Sequence, residues 1–209
     1  MGRELSPELR ERRRNRILET ATNVFLEHGY AGSTMSMVAQ RLGGSKATLY
    51  AYFASKEELC EGIIQRVCGQ AVGAIEDAGA MLTIEKRLMH IGMAFMRLAV
   101  CDAGVKSTQL AIEFARRNPE LAERFEAVGH GAVAARLAEF IGEANARGEI
   151  RVPDPLGASK IFLSLMRGDL HFLRLLNRIP APDAERQRAE VAGAIGVFMA
   201  AFAPQPSDT

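Results

Sequence analysis

Two of the five lysines in this chain lie where a phosphate group can be bound. Lys46 and Lys56 each fall in the first turn of a predicted helix. A cation in that position opposes the helix dipole and costs roughly 0.3–1 kcal/mol, so folding alone does not favour it. A phosphate there would be stabilised by the lysine and by the free N–H groups of the helix end. The two lysines are therefore either phosphate ligands or solvated side chains.

Tyrosine usage indicates the same part of the chain. All three tyrosines, Tyr30, Tyr50 and Tyr52, precede residue 57. Leu49 and Phe53 have the i, i+4 spacing of a buried pair on one helix, which leaves the phenol groups of Tyr50 and Tyr52 near its outward face. Phenol groups there can hydrogen-bond to phosphate oxygens. Tyr30 lies in the preceding loop, where we expect a structural role.

The hydrophobic pattern predicts an all-α chain that positions these residues. Apolar residues recur at helical spacing almost throughout, and period-two alternation long enough for a strand is absent. A first helix is expected from about Glu8 to His28, ending at Gly29, because glycine commonly terminates helices. Two short helices are expected to follow, at 34–42 and 46–53.

A glycine turn, Gly43-Gly44, separates the two short helices, and Ser33 and Ser45 are placed to cap their N-termini. A long helix followed by two short helices around a tight turn is the layout of a helix-turn-helix unit. The second short helix of such a unit lies in the major groove of DNA. Helical hairpins with glycine turns also occur in proteins that do not bind nucleic acid, so the layout alone leaves both possibilities open.

Small residues on the second short helix favour close approach to base pairs. Its outward face begins with Ser45, Lys46, Ala47 and Thr48. Lys46 can donate to guanine O6 or N7, and the methyl groups of Ala47 and Thr48 can pack on a thymine methyl. The start of the preceding helix supplies two hydroxyl groups for phosphate contacts, Thr34 and Ser36.

The charge distribution favours a polyanionic partner for the first quarter of the chain. Residues 1–56 carry nine Lys/Arg against five Asp/Glu, a net charge of +4, whereas residues 57–209 carry seventeen against twenty, a net charge of −3. Such asymmetry is typical of a nucleic-acid-binding segment. A cluster of arginines forms either an arm along the DNA backbone or minor groove, or the solvated start of the first helix: Arg10, Arg12, Arg13, Arg14 and Arg16.

The stretch from Ser33 to Leu59 closely resembles the DNA-binding head of TetR/AcrR-type repressors. The resemblance is carried by the run Ser-Lys-x-Thr-Leu-Tyr-x-Tyr-Phe-x-Ser-Lys-Glu-Glu-Leu, which begins at Ser45, and it extends over residues 10–60. It implies a homodimer that binds a near-palindromic DNA operator and represses transcription. The operator is released when a small molecule enters the rest of the chain, residues 57–209, which we call the body. Activation of transcription is the alternative. Matched by position, the base and phosphate contacts of the family fall on Thr34, Ser36, Ser45, Lys46, Ala47, Thr48, Tyr50, Tyr52 and Lys56.

The resemblance includes one departure and one further match. Gly44 stands where the family usually has valine or a similar apolar residue, which implies a less packed turn. The runs 114–125 and 147–151 look like the body of AefR-like members, a match that names no ligand.

We divide the chain into a helix-turn-helix DNA-binding domain, residues 1–56, and a helical effector-binding and dimerisation domain, residues 57–209. A capping box from Ser55 to Glu58 predicts the start of a long helix that reaches about Ala78. About nine helices are expected in all, and the remaining ones lie near 82–101, 105–117, 119–146, 155–177 and 184–203.

The body is rich in methionine and phenylalanine. Such residues form a plain core or line a cavity for a small apolar or amphipathic effector, with histidines as polar contacts. The candidate pocket residues are His90, Met93, Met96, Phe114, His130 and Met166.

Two predicted helices of the body, near 155–177 and 184–203, are apolar on more faces than one subunit core can bury. Glycine and alanine residues in the second allow close helix approach. We predict that both helices form a four-helix dimer interface with a symmetry mate. A single large monomeric core is the alternative.

Other function classes lack support in the sequence. No catalytic triad, glycine-rich phosphate loop, paired-carboxylate site or histidine pair at metal-ligand spacing emerges, so we expect no enzyme, no cofactor and no metal. The longest charge-free apolar stretch is too short to cross a bilayer, and no signal peptide is recognised, which predicts a cytoplasmic protein. The remaining alternatives are a constitutive DNA-binding protein without effector and a ligand-binding protein with an idle DNA head.

Overall fold

The computed structural model describes residues 6–78, 83–116 and 119–204, without the side chains of Phe114 and Leu121. Every regular element in these ranges is helical, and they contain no strand. The expected all-α class, with an N-terminal helix-turn-helix followed by a helical domain, is thus confirmed.

The helices lie near the ranges expected from the sequence, but the second short helix ends at Tyr50 rather than near residue 53, and the helix expected near 105–117 begins at Asp102. A π-helical turn, Ala127–Gly131, lies between α7 and α8, where the sequence predicted one uninterrupted helix. In chain order the α-helices are α1 (Pro7–Gly32), α2 (Met35–Leu42), α3 (Lys46–Tyr50), α4 (Lys56–Asp77), α5 (Ile84–Val100), α6 (Asp102–Ala115), α7 (Pro119–Glu126), α8 (Ala132–Ala146), α9 (Pro155–Leu175) and α10 (Ala184–Phe202).

The chain forms two compact units. The head unit contains the residues up to Arg66 together with Lys106–Val128, and the body unit contains Val67–Val105 together with the residues from Gly129 onward. Helices α6 and α7 therefore belong mostly to the same unit as the helix-turn-helix. The functional division after residue 56 stays a prediction.

Side-chain hydroxyl groups define where the two short helices begin. Thr34 Oγ1 accepts from the Met37 N–H at 3.2 Å, and Ser45 Oγ accepts from the Thr48 N–H at 3.1 Å. The prediction that Ser33 caps α2 is wrong. Ser33 is buried, and its hydroxyl group donates to the Gly29 carbonyl oxygen at 2.6 Å, so the next residue, whose backbone is extended, takes the capping position.

The break predicted at the end of the first helix is confirmed. Gly29 has φ 67° and ψ 160°, a conformation outside the helical region, although helical hydrogen bonding resumes to Gly32. A positive φ is unstrained for glycine and strained for residues with a side chain. The chain therefore turns at Gly29 before it reaches α2.

The body core forms where α5, α8, α9 and α10 bury their apolar faces. Phe162 on α9 and Phe198 on α10 make an edge-to-face contact with ring centroids 5.4 Å apart. Gly92 on α5 packs so closely that a Cβ there would lie 2.8 Å from Val191 Cγ1 and 2.9 Å from Met166 Sδ. These contacts fix the three helices against one another within the body unit.

Within the described ranges, no single helix is both long and apolar enough to cross a membrane. The consecutive helices Ile84–Val100 and Asp102–Glu113 reach that length and composition only when they are taken together.

Candidate nucleic-acid interface

The turn between α2 and α3 depends on one glycine in the left-handed region. Gly43 has φ 68° and follows the last residue of α2, and its N–H donates to the Gln40 carbonyl oxygen at 3.1 Å. Residues with a side chain are strained in this conformation. Gly44 has no positive φ and is exposed, and a Cβ built on it would meet no described atom within 4 Å. A Cβ at Gly44 would therefore have no packed neighbour in this turn.

Two buried side chains determine which side of α3 faces solvent. Leu49 and Phe53 are 1% and 2% exposed, which confirms the buried pair predicted from their spacing. The outward side of this helix presents small and polar residues that are all exposed: Ser45, Lys46, Ala47, Thr48 and Tyr50.

The nine residues predicted to contact DNA differ in exposure. Tyr52 and Lys56 are half-buried. The other seven are exposed at the start of α2 and along α3, and among them Lys46 makes no hydrogen bond or ion pair to any residue that the structure describes. The exposed hydroxyl, ammonium and phenol groups suit contacts with phosphate oxygens and base edges.

Lys56 has a structural role that the sequence did not reveal. Its ammonium group donates to the carbonyl oxygens of Tyr30 at 2.7 Å and Ser33 at 3.1 Å. The same nitrogen lies 3.9 Å from the centroid of the Tyr30 ring, within the range of a cation–π contact. A lysine in the first turn of α4 is thus stabilised by the last turn of α1 and by the residue that follows it.

Tyr30 lies in the last turn of α1, not in a loop as the sequence predicted, and it joins this end of α1 to the start of α4 through a second contact. Its hydroxyl group donates to Glu57 Oε1. This hydrogen bond is the main cause that lowers the pKa of Glu57, whereas burial is the main cause that raises the pKa of Tyr30. The Tyr30 N–H donates to Glu113 Oε1 on α6 at 3.2 Å. Tyr30 therefore has the structural role expected for it, at a junction of three helices in the head unit.

Further contacts attach α6 and α7 to the head unit. Lys106 Nζ donates to Asn23 Oδ1 at 3.4 Å, and Arg124 on α7 forms an ion pair with Glu61 on α4. Segment Lys106–Val128 therefore makes polar contacts with α1 and with the first part of α4, in addition to belonging to the same compact unit.

The arginine cluster lies on α1, which begins at Pro7 and is capped by Ser6. Arg14 is half-buried, and its guanidinium carbon lies 5.3 Å from the centroid of the Phe53 ring. Arg14 therefore contributes to packing in the head. The other members of the cluster are exposed on the helix: Arg10, Arg12, Arg13 and Arg16.

The candidate pocket residues of the body unit differ in burial. Met96 and Met166 are fully buried, and His90, Met93 and His130 are half-buried. The sixth candidate, Phe114 on α6, belongs to the head unit, and its side chain lies outside the described part of the structure. No group of three His, Cys, Asp or Glu side chains that could hold a metal ion occurs among the described residues.

Two further polar residues of the body unit are His171, which the sequence offered as a polar contact for an effector, and Arg167, which it did not single out. His171 is buried, and its Nδ1 lies 2.8 Å from the Ala99 carbonyl oxygen, which requires the proton on Nδ1. Burial lowers the pKa of His171. Arg167 on α9 contacts His130 with Nη2 to Nδ1 at 2.9 Å. The run Ile161–Leu176 is largely apolar, and its few charged residues, Arg167, Asp169 and Arg174, are the sequence signal that would have drawn attention to Arg167.

Comparisons with known proteins cover both parts of the chain. Residues 17–63 match the family model "Bacterial regulatory proteins, tetR family". Residues 86–204, more than half of the chain, match "AefR-like transcriptional repressor, C-terminal domain". The HTH-type transcriptional activator FasR of Mycolicibacterium smegmatis is 38% identical over 69 residues, which are 33% of this chain and 32% of FasR. The chain matches less than half the length of the first curated relatives.

Solved structures match over nearly the whole chain. The flavonoid-responsive regulator FrrA is 30% identical with a TM-score of 0.71, and the match covers 94% of this chain and all of that one. FadR of Bacillus subtilis, solved in complex with stearoyl-CoA, is 21% identical with a TM-score of 0.71, over 88% of this chain and 96% of FadR. These relatives are transcriptional regulators, not enzymes. The exposed face of α3, the helix-turn-helix that carries it and both matching family models lead to one conclusion: the chain belongs to the TetR family of DNA-binding transcriptional regulators.

Proposed function

We propose that this protein is a ligand-responsive repressor that binds a near-palindromic operator as a homodimer and is released by a small apolar or amphipathic effector. The observation that carries the proposal is the exposed row Ser45–Thr48 on α3, held outward by buried Leu49 and Phe53. Lys46 and the methyl groups beside it read base edges, while hydroxyl and phenol groups, with Tyr50 foremost, contact phosphates.

Homodimer formation is supported by an exposed apolar face on α9 and α10. Ile161 and Phe172 of α9 are 49% and 57% exposed, Leu176 directly after α9 is 54% exposed, and Val197 of α10 is 59% exposed. Large apolar side chains exposed together are typical of an interface. From Ala189 to Ala201, the other exposed residues of α10 are small and permit close helix packing: Ala189, Ala192, Gly193, Gly196, Ala200 and Ala201. A symmetry mate would cover both helices in a four-helix interface.

The body is proposed to bind the effector. Its match to the AefR-like C-terminal domain supports this role, as does the similarity to a flavonoid-responsive regulator and to a regulator solved with stearoyl-CoA. The core contains methionines, whose flexible side chains adapt to varied apolar ligands. Candidate contacts stay the residues predicted from the sequence: His90, Met93, Met96, Phe114, His130 and Met166.

Two segments connect effector binding to the operator in this proposal. Helix α4 contributes residues to both compact units, and Lys106–Val128 is attached to the head through Tyr30–Glu113 and Glu61–Arg124. In the proposed dimer, the two heads occupy successive major grooves of the operator. An effector that binds more tightly when these segments are displaced would move the heads out of register with those grooves. A tenfold loss of operator affinity needs only about 1.4 kcal/mol of differential binding.

Selection of genomic fragments tests the proposal. The purified protein is incubated with fragmented DNA from its source, and the retained fragments are sequenced. We expect enrichment of a near-palindromic site, and reporter expression from that site should fall when the protein is present. No enrichment over non-specific fragments would contradict operator binding, and a rise in expression would contradict repression.

A further inference from the structure

Glu113 on α6 contacts the last turn of α1. Its Oε1 accepts from the Tyr30 N–H at 3.2 Å. The two residues are 83 positions apart in the sequence, and both belong to the head unit. A hydrogen bond from a backbone N–H to a carboxylate is stronger than one between neutral groups. Glu113 is therefore well suited to fix the position of Tyr30.

The glycine before Tyr30 makes room for this carboxylate. A Cβ on Gly29 would lie 3.0 Å from Glu113 Oε1, closer than an ordinary van der Waals contact. Gly29 also has φ 67°, a conformation that glycine adopts without strain. Glu113 thus contacts α1 at the position where the chain turns toward α2.

The backbone of Tyr30 fixes the chain that enters α2. Its carbonyl oxygen accepts from the Ser33 N–H at 3.2 Å and from Lys56 Nζ at 2.7 Å. The Ser33 hydroxyl group donates to the Gly29 carbonyl oxygen at 2.6 Å. Ser33 directly precedes Thr34, the N-cap of α2. The position of Tyr30 therefore determines where α2 begins.

The side chain of Tyr30 fixes the start of α4. Its hydroxyl group donates to Glu57 Oε1, and Lys56 Nζ lies 3.9 Å from the centroid of its ring. Lys56 and Glu57 are the first two residues of α4. The same ring makes an edge-to-face contact with the buried Phe25 of α1, with centroids 5.8 Å apart. Tyr30 thus sets the position of α4 against α1.

Helix α3 lies between the two helices that Tyr30 fixes. The turn Gly43-Gly44 connects it to α2, and residues 51–55 connect it to α4. The orientation of α3, and with it that of the exposed row Ser45–Thr48, therefore follows from the positions of α2 and α4. Recognition of base edges requires such a row to be held closely in place.

A second polar contact between α6 and α1 lacks this connection. Lys106 Nζ donates to Asn23 Oδ1 at 3.4 Å. Among the described residues, Asn23 makes no hydrogen bond or ion pair with α2, α3 or α4. The two contacts of α6 with α1 therefore differ in whether they lead to the helix-turn-helix.

We propose that Glu113 is a positioning residue for operator recognition, which holds α2, α3 and α4 in the DNA-binding orientation through its hydrogen bond to Tyr30. The proposal rests on the proposed function in taking a specific operator as the DNA that the head binds. It adds a residue of α6 that lies outside the helix-turn-helix and outside the nine predicted DNA contacts. Glu113 contributes to operator affinity without contacting DNA.

Fluorescence anisotropy on two variants of equal charge tests the proposal. Glu113→Gln retains an oxygen acceptor for the Tyr30 N–H, whereas Glu113→Met, of similar length, has only a weakly accepting thioether. On the duplex selected from genomic fragments, Glu113→Met should bind at least about fivefold more weakly than Glu113→Gln. Glu113→Gln should stay within about twofold of the wild type. Equal operator affinity of the two variants would overturn the proposal.

A scrambled duplex separates positioning from loss of folded protein. A partly unfolded variant contains less active protein, so its binding to both duplexes falls in equal proportion. A misplaced head keeps its charge and hence its sequence-independent binding. The two Glu113 variants should therefore bind the scrambled duplex with affinities that agree within about twofold. A parallel loss on both duplexes in Glu113→Met would show a structural role only and would overturn the proposal.

Lys106→Met is the matched control for a contact between α6 and α1. It removes the bond to Asn23 and should leave operator affinity within about twofold of the wild type. A loss as large as that of Glu113→Met would show that the connection through Tyr30 has no special role, and would overturn the proposal.

Tyr30→Phe tests whether Glu113 acts through Tyr30. The substitution removes the hydrogen bond to Glu57 and keeps the ring. Because residues of one network do not act independently, the double variant with Glu113→Met should lose less operator affinity than the product of the two single losses. A loss equal to that product would contradict the connection through Tyr30.

The wild-type protein distinguishes failure of this inference from failure of the proposed function. Equal affinity of the wild type for the selected and scrambled duplexes would contradict operator recognition and this inference together. A wild-type preference for the operator that Glu113→Met keeps in full would contradict this inference alone.

Discussion

The ammonium group of Lys56 lies 2.7 Å from the carbonyl oxygen of Tyr30. This bond crosses from the first turn of α4 to the last turn of α1, and a second bond from the same nitrogen reaches Ser33 just before α2. Lys56 thus holds together the elements that orient the helix-turn-helix. Any effect of Lys56 on DNA affinity includes this structural contribution.

Substitution of the two lysines should separate folding from DNA contact. Lys56→Met should lower the free energy of unfolding by about 1.5–3 kcal/mol, because two hydrogen bonds from a charged donor are lost. Lys46→Met should change it by less than about 0.5 kcal/mol, since Lys46 is exposed. Urea unfolding followed by circular dichroism measures both values. Equal losses would show that Lys56 has no special structural role.

Lys46 and Tyr50 should affect DNA binding in different ways. Lys46→Ala should relax sequence preference, with about 1–3 kcal/mol less discrimination at one base pair, because a contact to guanine is lost. Tyr50→Phe removes only a hydroxyl group and should weaken all duplexes alike by about 0.5–1.5 kcal/mol. Fluorescence anisotropy on a panel of single-base operator variants measures both. Unchanged affinity in both variants would exclude this face of α3 from the interface.

The adjacent glycines of the turn should respond in opposite directions to alanine. Gly43→Ala should destabilise the head by about 1–2 kcal/mol, because an L side chain is strained at φ 68°. Gly44→Ala should stabilise it by about 0.4–1 kcal/mol, because it lowers the entropy of the unfolded chain and meets no described neighbour. Thermal unfolding of the two variants provides the comparison. Destabilisation by Gly44→Ala would mean that flexibility at this position stabilises the turn.

A charge on the exposed face of α9 should separate the subunits. Phe172→Arg should convert the dimer to a monomer at micromolar concentration, because an arginine on each subunit would lie in an apolar interface. Ile112→Arg is a control of similar exposure, 53% against 57%, on α6. It should leave the dimer intact. Light scattering measures the molar mass of each variant in solution. A wild-type protein that is monomeric under these conditions would contradict the proposed dimer interface.

The sequence predicted what depends on local periodicity. The approximate positions of the helices, the break at Gly29 and the buried pair Leu49 and Phe53 follow from apolar spacing and from the conformational freedom of glycine. These features involve residues that are close in sequence. A local pattern is therefore sufficient to predict them.

Contacts between distant residues were not predictable in the same way. Lys56 is 26 residues from Tyr30, and the Ser33 hydroxyl group is occupied by the end of α1, which moves the cap of α2 to Thr34. The contact between Arg167 and His130 spans 37 residues and depends on a π-helical turn. Each depends on how helices pack, which spacing along one helix does not reveal.

Operator recognition by the basic head is tested by the affinity of the purified protein for its selected palindromic duplex and for a scrambled duplex of equal length, across salt concentrations. We expect a preference for the palindrome of at least about a thousandfold at physiological salt. Log affinity should fall linearly with log salt concentration, because Lys and Arg side chains displace counterions. Equal affinity for both duplexes, or an affinity independent of salt, would contradict operator recognition by the basic head.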